Sequence, residues 1–570
     1  MSFYDDASLV FLPSGGAGKD TKAYSIKPTN GDGDFTFSRG SNLTATRVDS
    51  NGLIEKGREN LLLQSNSFDT TWTTSGSSVT SGQSGYDGSL DAWLLESNNT
   101  SGAYIYQNLT ASGVQTFSVY AKAGTCDFIY FVVRGSTNIA SYFDLENGTI
   151  GTAVATNIDR KIESVGSGWY RCSITLSNTD TSVRIYMADA DGSTISAVGS
   201  NIYIQDAQVE IGLIATEPIE SGASTGLAGI LEDSPRFDYS GGASCPSLLL
   251  EPSRTNSFDY SEYFEDSKLG EVTLTTNAIV SPEGLQNASL VVCPSGRLGE
   301  NVSLTNGTDY VVSVFAKQKG QTFNIRAADG TNPNVQFNLA TQTTTDTNGA
   351  VGSMEDYGNG WYRCIMKFTA SATGSFEIRY VLITDADGVY AYGAQVEEGS
   401  YPTSYIPNHS GGSVTREADV CGGAGTSSTF NDDEGVLYLE ASAIDNGSSE
   451  KAIAINDGTT NNRINIRIVN NTIKGLVILS GSLVCNISYT APSVITSNKI
   501  AFKYKRNDFA LWVNGVEVGT DTSGSAFLAN TLNELSFDYG GSSAFFYGNV
   551  KQVIYFPSLL SDVELIALTS

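Results

Sequence analysis

The segment VGSGWYRCSITL at Val165–Leu176 has a near copy, YGNGWYRCIMKF, at Tyr357–Phe368, with the two Trp-Tyr-Arg-Cys runs 192 residues apart. Further matches flank the pair in the same order. SVYAK at Ser118–Lys122 answers SVFAK at Ser313–Lys317, and Phe143-Asp144-Leu145 answers Phe337-Asn338-Leu339. Arg184 answers Arg379, DADG at Asp189–Gly192 answers DADG at Asp385–Gly388, and AQVE at Ala207–Glu210 answers AQVE at Ala394–Glu397. Offsets hold between 187 and 196, so a whole domain is duplicated and one fold must accommodate both copies.

Each copy reads as all-β. TFSVYAKAG and YVVSVFAKQKG alternate apolar and polar residues, as half-buried strands do, and SVRIYMADADG runs from a strand into an Asp/Gly turn. No helical period persists beyond a turn or two. About 150 residues of short antiparallel strands suits a two-sheet jelly roll. A third β region follows the Gly/Ser-rich joint near residues 411–425. Its WVNGVEVG places Asn514-Gly515 as a type I′ hairpin turn, and only LSDVELIALTS at the end looks helical, capped by Ser561 or Asp562. The division expected is an irregular attachment segment over 1–58, a first jelly roll over 59–220, a linker with extended pieces over 221–255, a second jelly roll over 256–412, a linker over 413–430 and a third sandwich over 431–570.

Composition narrows the partners. Sixty-one acidic against 33 basic residues give a net charge of −28, which disfavours nucleic acid and anionic membranes. Seven scattered cysteines with no C-x-x-C pair indicate neither a disulfide framework nor a zinc site. MSFYDDASLVFLPSGG has no basic leader and no run approaches 18 apolar residues, so neither a signal peptide nor a membrane helix is expected.

Candidate sites are few. Alternation sends Trp169 and Arg171 to one face of their strand and Tyr170 with Cys172 to the other; Trp361, Tyr362, Arg363 and Cys364 repeat this. One aromatic of each pair fills the sandwich and the other is free to stack on a sugar ring, with framework the favoured reading. The DADG turns offer Asp189 and Asp191, and Asp385 and Asp387, to Ca²⁺. That is only part of the six to eight oxygens such an ion takes, so ordinary turns are favoured and no cofactor is required. PSGGAGKDT at Pro13–Thr21 imitates a phosphate-binding loop but has Pro13 for its first glycine and Asp20 for its hydroxyl. The sole histidine, His409, has no nucleophile beside it, and no catalytic set emerges.

The blocks FTFSRGSNLTATRVDSNGLIEKGRENLLLQSNSFDTTW, PRFDYSGGASCPSLLLEPSRTNSFDYSEYF, the two GWYR strands and YAYGAQVEEGSYPTSYIPN followed by VTREAD resemble tail-fibre and other virion structural proteins of bacteriophages. The resemblance covers nearly the whole chain. It implies carbohydrate-binding-module-like jelly rolls ahead of a laminin-G or concanavalin A-like lectin domain. It also implies a non-enzymatic appendage of the virion, commonly trimeric, held to other virion proteins near its N-terminus and attaching to host-surface glycans. The alternatives are a capsid decoration or connector protein without glycan binding, and a polysaccharide depolymerase. Under the leading reading the sugar contacts would come from Trp169 or Tyr170, Trp361 or Tyr362, and from Trp512, Asn514 and Tyr539 in the last domain.

Overall fold

The computed structural model describes residues 3–13, 21–40, 43–100, 102–320, 322–383 and 387–570. The fold is all-β and antiparallel throughout its named sheets, as expected. It forms two compact units: one holds residues 56–229 and 255–414, the other residues 1–55, 230–254 and 415–570.

The first unit contains both repeats. In the first sandwich two 20-residue strands, Tyr104–Ala123 and Trp169–Ala188, pair along almost their whole length and pass from one sheet into the other. Alternation builds the core: Phe117, Val119, Ile129, Phe131, Ile174 and Ile185 point between the sheets and are at most 2 % exposed. Burying such a side chain contributes about 1.5–3 kcal/mol. The second sandwich breaks the same two strands. Arg297–Leu304 and Asp309–Gln318 replace the first, Trp361–Thr369 and Gly374–Ile383 the second, giving two six-stranded sheets. The break at residues 305–308 is a turn through Gly307, whose φ of 80° suits a residue without a Cβ.

Repeated residues staple both sandwiches identically. Asn60 donates to the carbonyls of Ala207 and Ile219 and accepts from the amides of Leu62 and Val209. Asn256 does the same with Ala394, Ile406, Phe258 and Val396. The glutamate of each AQVE run, Glu210 or Glu397, accepts from the backbone and hydroxyl of Thr216 or Thr403. Buried Lys56 is held at 2.9 Å by Glu262 and at 3.3 Å by Glu283. Burial alone would raise the Glu262 carboxyl, but Lys56 and His409 bring it down to about 2. Burial holds the His409 imidazole near 4, so it is neutral at pH 7.

The second unit corrects the expectation of a separate N-terminal arm and of independent linkers. Its larger sheet has the strands Gly548–Phe556, Glu434–Ala443, Asn498–Lys505, Phe509–Val513 and Val516–Asp521 in that order. On the free edge of Gly548–Phe556 lie two short strands, Ser247–Leu250 at one end and Leu9–Phe11 at the other. The opposing five-stranded sheet includes Lys451–Asn456, Arg463–Val469 and Glu534–Ser536. Phe11, Phe35, Phe37, Phe237 and Leu248 join the same core as Leu437, Ile455 and Tyr555. The N-terminal residues are therefore interior material for the last sandwich. The closing helix, Asp562–Thr569, starts at a capping box formed by Ser561 and Glu564.

Buried ion pairs tie the three pieces of this unit together. Arg236 pairs with Glu251 at 2.6 Å and with Asp419, Arg39 reaches Asp419 at 3.3 Å, and Arg416 reaches Glu251 at 2.8 Å. All five side chains are at most 3 % exposed. Removing one member leaves an unbalanced buried charge, which costs about 3–5 kcal/mol. Asp419→Ala is therefore expected to unfold this unit at markedly lower urea, with a transition separate from that of the unit carrying the repeats.

Asp180 sits where the long strands cross between sheets, and its Oδ1 is buried without a hydrogen-bond partner. Burial raises its carboxyl from 3.8 to about 7. Between those values the native state keeps a proton that the unfolded chain has released, so this site's contribution to stability falls as pH rises. Asp180→Asn should stabilise the protein by about 1–3 kcal/mol at pH 8. In melts across pH the gain should vanish near pH 4.

Candidate functional site

Strand alternation in the first sandwich also decides what its outer face carries. In Phe128–Gly135, Ile129, Phe131 and Val133 face inward, which turns Tyr130, Val132 and Arg134 outward. Register then aligns four tyrosines across four neighbouring strands: Tyr104 lies opposite Tyr186, Tyr186 opposite Tyr130, and Tyr130 opposite Tyr142. Their rings stack in that order, with centroids 4.4, 4.5 and 4.4 Å apart and planes within 26° of parallel. Tyr106 continues the row at 5.9 Å, tilted by 43°.

Stacked rings cover one another, so Tyr130, Tyr142 and Tyr186 are only 2, 4 and 8 % exposed, while Tyr104 and Tyr106 are half-buried and form the accessible end of the row. The hydroxyls of Tyr130 and Tyr142 make no hydrogen bond within the protein among the described residues. Arg184 lies across one end, its guanidinium carbon 5.1 Å from the Tyr104 ring centre and 5.5 Å from that of Tyr106. It donates to the hydroxyls of Tyr104 at 3.3 Å and Tyr186 at 3.5 Å. Burial raises the Tyr130 hydroxyl far above its usual range, keeping it a neutral donor and acceptor. A fixed line of O–H groups beside a cation is suited to a ligand dense in hydroxyls.

The second sandwich keeps the scaffold and changes this face. The sites of Tyr104, Tyr130 and Tyr142 are taken by Arg297, Asn324 and Gln336. Asn324 bonds Asn334 at 3.0 Å, while Arg297 and Arg379 both close on Glu377. Reading the repeats for their matches misses the row. The signal lies where the copies differ, in FIYFVV against FNIRA and SYFDL against VQFNL.

The expected aromatics sit elsewhere. Trp169 and Trp361 are each 2 % exposed, on the outer face of their sheets beneath covering loops. Tyr86 packs against Trp169 and stacks on Tyr120 at 3.9 Å; the Trp361 indole donates to the carbonyl of Val280 at 3.1 Å. Arg171 and Arg363, on the same faces, lie over the rings of Tyr120 and Phe315. Tyr170 and Tyr362 are half-buried and pack against the two sandwich cores, beside buried Cys172 and Cys364. None of the four aromatics is a free platform.

In the other unit Trp512 is 4 % exposed beneath the closing helix, within a cluster that includes Tyr438, Leu565 and Leu568. Asn514 is exposed, and with Gly515 it forms the expected positive-φ turn, φ 49° and 83°. Its amide oxygen accepts from the backbone of Lys499. Tyr539 is half-buried by the opposite sheet, under the guanidinium of Arg463 at 4.7 Å. It bonds Arg467 at 2.8 Å and also Glu450. These three residues do not form one site.

The first DADG turn is closed by the protein itself. Asp191 accepts from the backbone and hydroxyl of Thr152 at 2.8 and 2.7 Å, and Asp189 accepts from Cys126 and from the backbone of Ala197. In the second, Asp385 lies outside the described residues and Asp387 is exposed. Among the described residues no cluster of three metal-ligating acids, histidines or cysteines is found, and no helix is long and apolar enough to cross a membrane. Most of PSGGAGKDT lies outside the described residues.

No protein-family model matches the chain, and no curated protein matches it. Among solved structures it is similar to the CBM40 of the Ruminococcus gnavus IT-sialidase bound to α2,3-sialyllactose, at 19 % identity and a TM-score of 0.23 over 26 % of this chain and 88 % of that one. It is similar to the CBM22 tandem of Paenibacillus barcinonensis Xyn10C, at 10 % identity and a TM-score of 0.20 over 64 % of this chain and all of that one. Mouse laminin α1 domains LG4-5 align at 11 % identity and a TM-score of 0.18, over 53 % of this chain and 91 % of that one.

All five tryptophans, Trp72, Trp93, Trp169, Trp361 and Trp512, are at most 8 % exposed. Native emission should be blue-shifted and nearly insensitive to acrylamide until the protein is unfolded in urea. A saccharide bound at the tyrosine row should leave it unchanged while altering the tyrosine difference spectrum.

Proposed function

We propose that this protein is a non-catalytic glycan-binding component of a bacteriophage particle, a tail or head fibre or receptor-binding appendage that attaches to host-surface glycans. The observation that carries glycan binding is the four-strand tyrosine row with Arg184 at its end. Its rings are fixed by register and mutual stacking, so little side-chain freedom is lost when a ligand docks. Among the described residues the hydroxyls of Tyr130 and Tyr142 lack protein partners, and those of Tyr104 and Tyr186, which accept from Arg184, can still donate to a polyol. The particle assignment rests on the sequence blocks that resemble virion proteins. Trimerisation and attachment to other virion proteins belong to the same proposal. Several weak sites on one assembly would gain avidity without new contacts.

The test is a glycan array with purified protein, followed by calorimetry on the hits. Wild type should bind, and Tyr104→Ala or Tyr106→Ala should weaken binding about tenfold or more, equivalent to at least 1.4 kcal/mol. Trp361→Phe, at a covered position in the second sandwich, should leave affinity unchanged. A silent array across host polysaccharides would favour a decoration or connector role, and new reducing ends on incubation would overturn the non-catalytic assignment.

A further inference from the structure

We infer that the glycan recognised by the tyrosine row is acidic, carrying carboxylate or sulfate groups that pair with Arg184 and Arg134; this rests on the glycan-binding reading above. The chain has nearly twice as many acidic as basic residues, yet neither arginine makes an ion pair among the described residues. Arg184 is half-buried against Tyr104 and Tyr106, and its Nε is buried with no hydrogen-bond partner. Arg134 is exposed and shares the outer face with Tyr130, since residues 130, 132 and 134 alternate with the core residues 129, 131 and 133. Between the two arginines sits Ser182, the cross-strand partner of Arg134 and two residues from Arg184 on the same face.

The duplicated domain shows what this scaffold does when such charge is satisfied internally. Ser182 corresponds to Glu377, which accepts from Arg379, the counterpart of Arg184, at 2.9 Å and from Arg297 at 2.5 Å. The first copy thus keeps the arginine and has a serine where the second has the carboxylate. Asp191 lies at the far end of the row beside Tyr142 and accepts two hydrogen bonds from Thr152. A guanidinium with free N–H groups beside fixed hydroxyls matches a planar carboxylate or a sulfate attached to a sugar. The rest of this acidic surface would repel such a ligand, so selectivity has to come from this spot.

The test compares tetragalacturonate, a sulfated chondroitin tetrasaccharide and a neutral galactose tetramer by calorimetry on the full chain. At least one acidic probe should bind about tenfold or more tightly than the neutral one, with the advantage shrinking as salt is raised. Which acidic probe binds identifies the anion. Arg184→Ala and Arg134→Ala should reduce that advantage, and Ser182→Glu, which supplies the internal counter-charge of the second copy, should erase it. Melting curves would confirm that each variant is folded, and Arg184→Ala decides the matter should Ser182→Glu not fold. Equal or tighter binding of the neutral tetramer, still lost in Tyr104→Ala, would overturn the acidic assignment while leaving glycan binding standing. Failure of all three probes together with a silent glycan array would overturn both.

Discussion

Asp419 holds the last sandwich together. Its carboxylate faces Arg39 from the N-terminal piece and Arg236 from the middle piece, and its Oδ2 also accepts from the backbone of Glu251 at 2.8 Å. The neighbouring Glu251 extends the cluster to Arg416. Three guanidinium groups and two carboxylates out of water would be costly singly; together they fix the register of segments nearly 400 residues apart in sequence. Hydrophobic burial alone would tolerate slippage of Leu9–Phe11 or Ser247–Leu250 along their shared edge. The directional pairs give each short strand a defined partner.

That arrangement bears on the duplication. Arg47 pairs with Glu55 at 2.7 Å, just as Arg236 pairs with Glu251, so TRVDSNGLIE and PRFD…LLLE are two versions of one hairpin ahead of each repeat. Only the second version is drawn into the buried cluster. Inside the sandwiches, what has been kept is the stapling set: Asn60 and Asn256, the AQVE glutamates, and the arginine lying over an aromatic. What has diverged is the outer face. Core and tyrosine row separate because the pleat sends them to opposite sides of the same strands, whereas the retained Trp and Arg of the GWYRC strands share the outer side.

This separation explains what could be read in advance. Period-two alternation and the duplicated GWYRC strands disclosed sandwiches, because core-facing residues such as Phe131 and Ile325 must stay apolar in each copy. Asn514-Gly515 marked its hairpin because two consecutive positive φ angles require such residues. The incorporation of residues 9–11 and 35–37 into the last sandwich left no local trace: pairing of Leu9 with Tyr555 is set by an open edge more than 500 residues away. The burial of Trp169 was half legible. Alternation grouped it with Arg171 on the side opposite Tyr170 and Cys172, but only the loop bearing Tyr86 shows that this is an outer side and that it is covered.

The tyrosine row depends on register in a way no single residue discloses. Neighbouring strands lie about 4.7–4.9 Å apart, close to the ring spacing of a stack, so tyrosines directly opposite one another on consecutive strands stack without bending the sheet. The first sandwich permits this because Tyr104–Ala123 and Trp169–Ala188 run unbroken through the sheet, in register from Tyr104 to Asn108. In the second sandwich the register shifts between Leu298 and Gly299, and again between Asn324 and Arg326. Both shifts lie to one side of the equivalent positions, and Asn324 stays directly opposite Gln336 on one neighbour and Leu382 on the other. Change of residue, more than loss of strand continuity, therefore distinguishes the second face from the first.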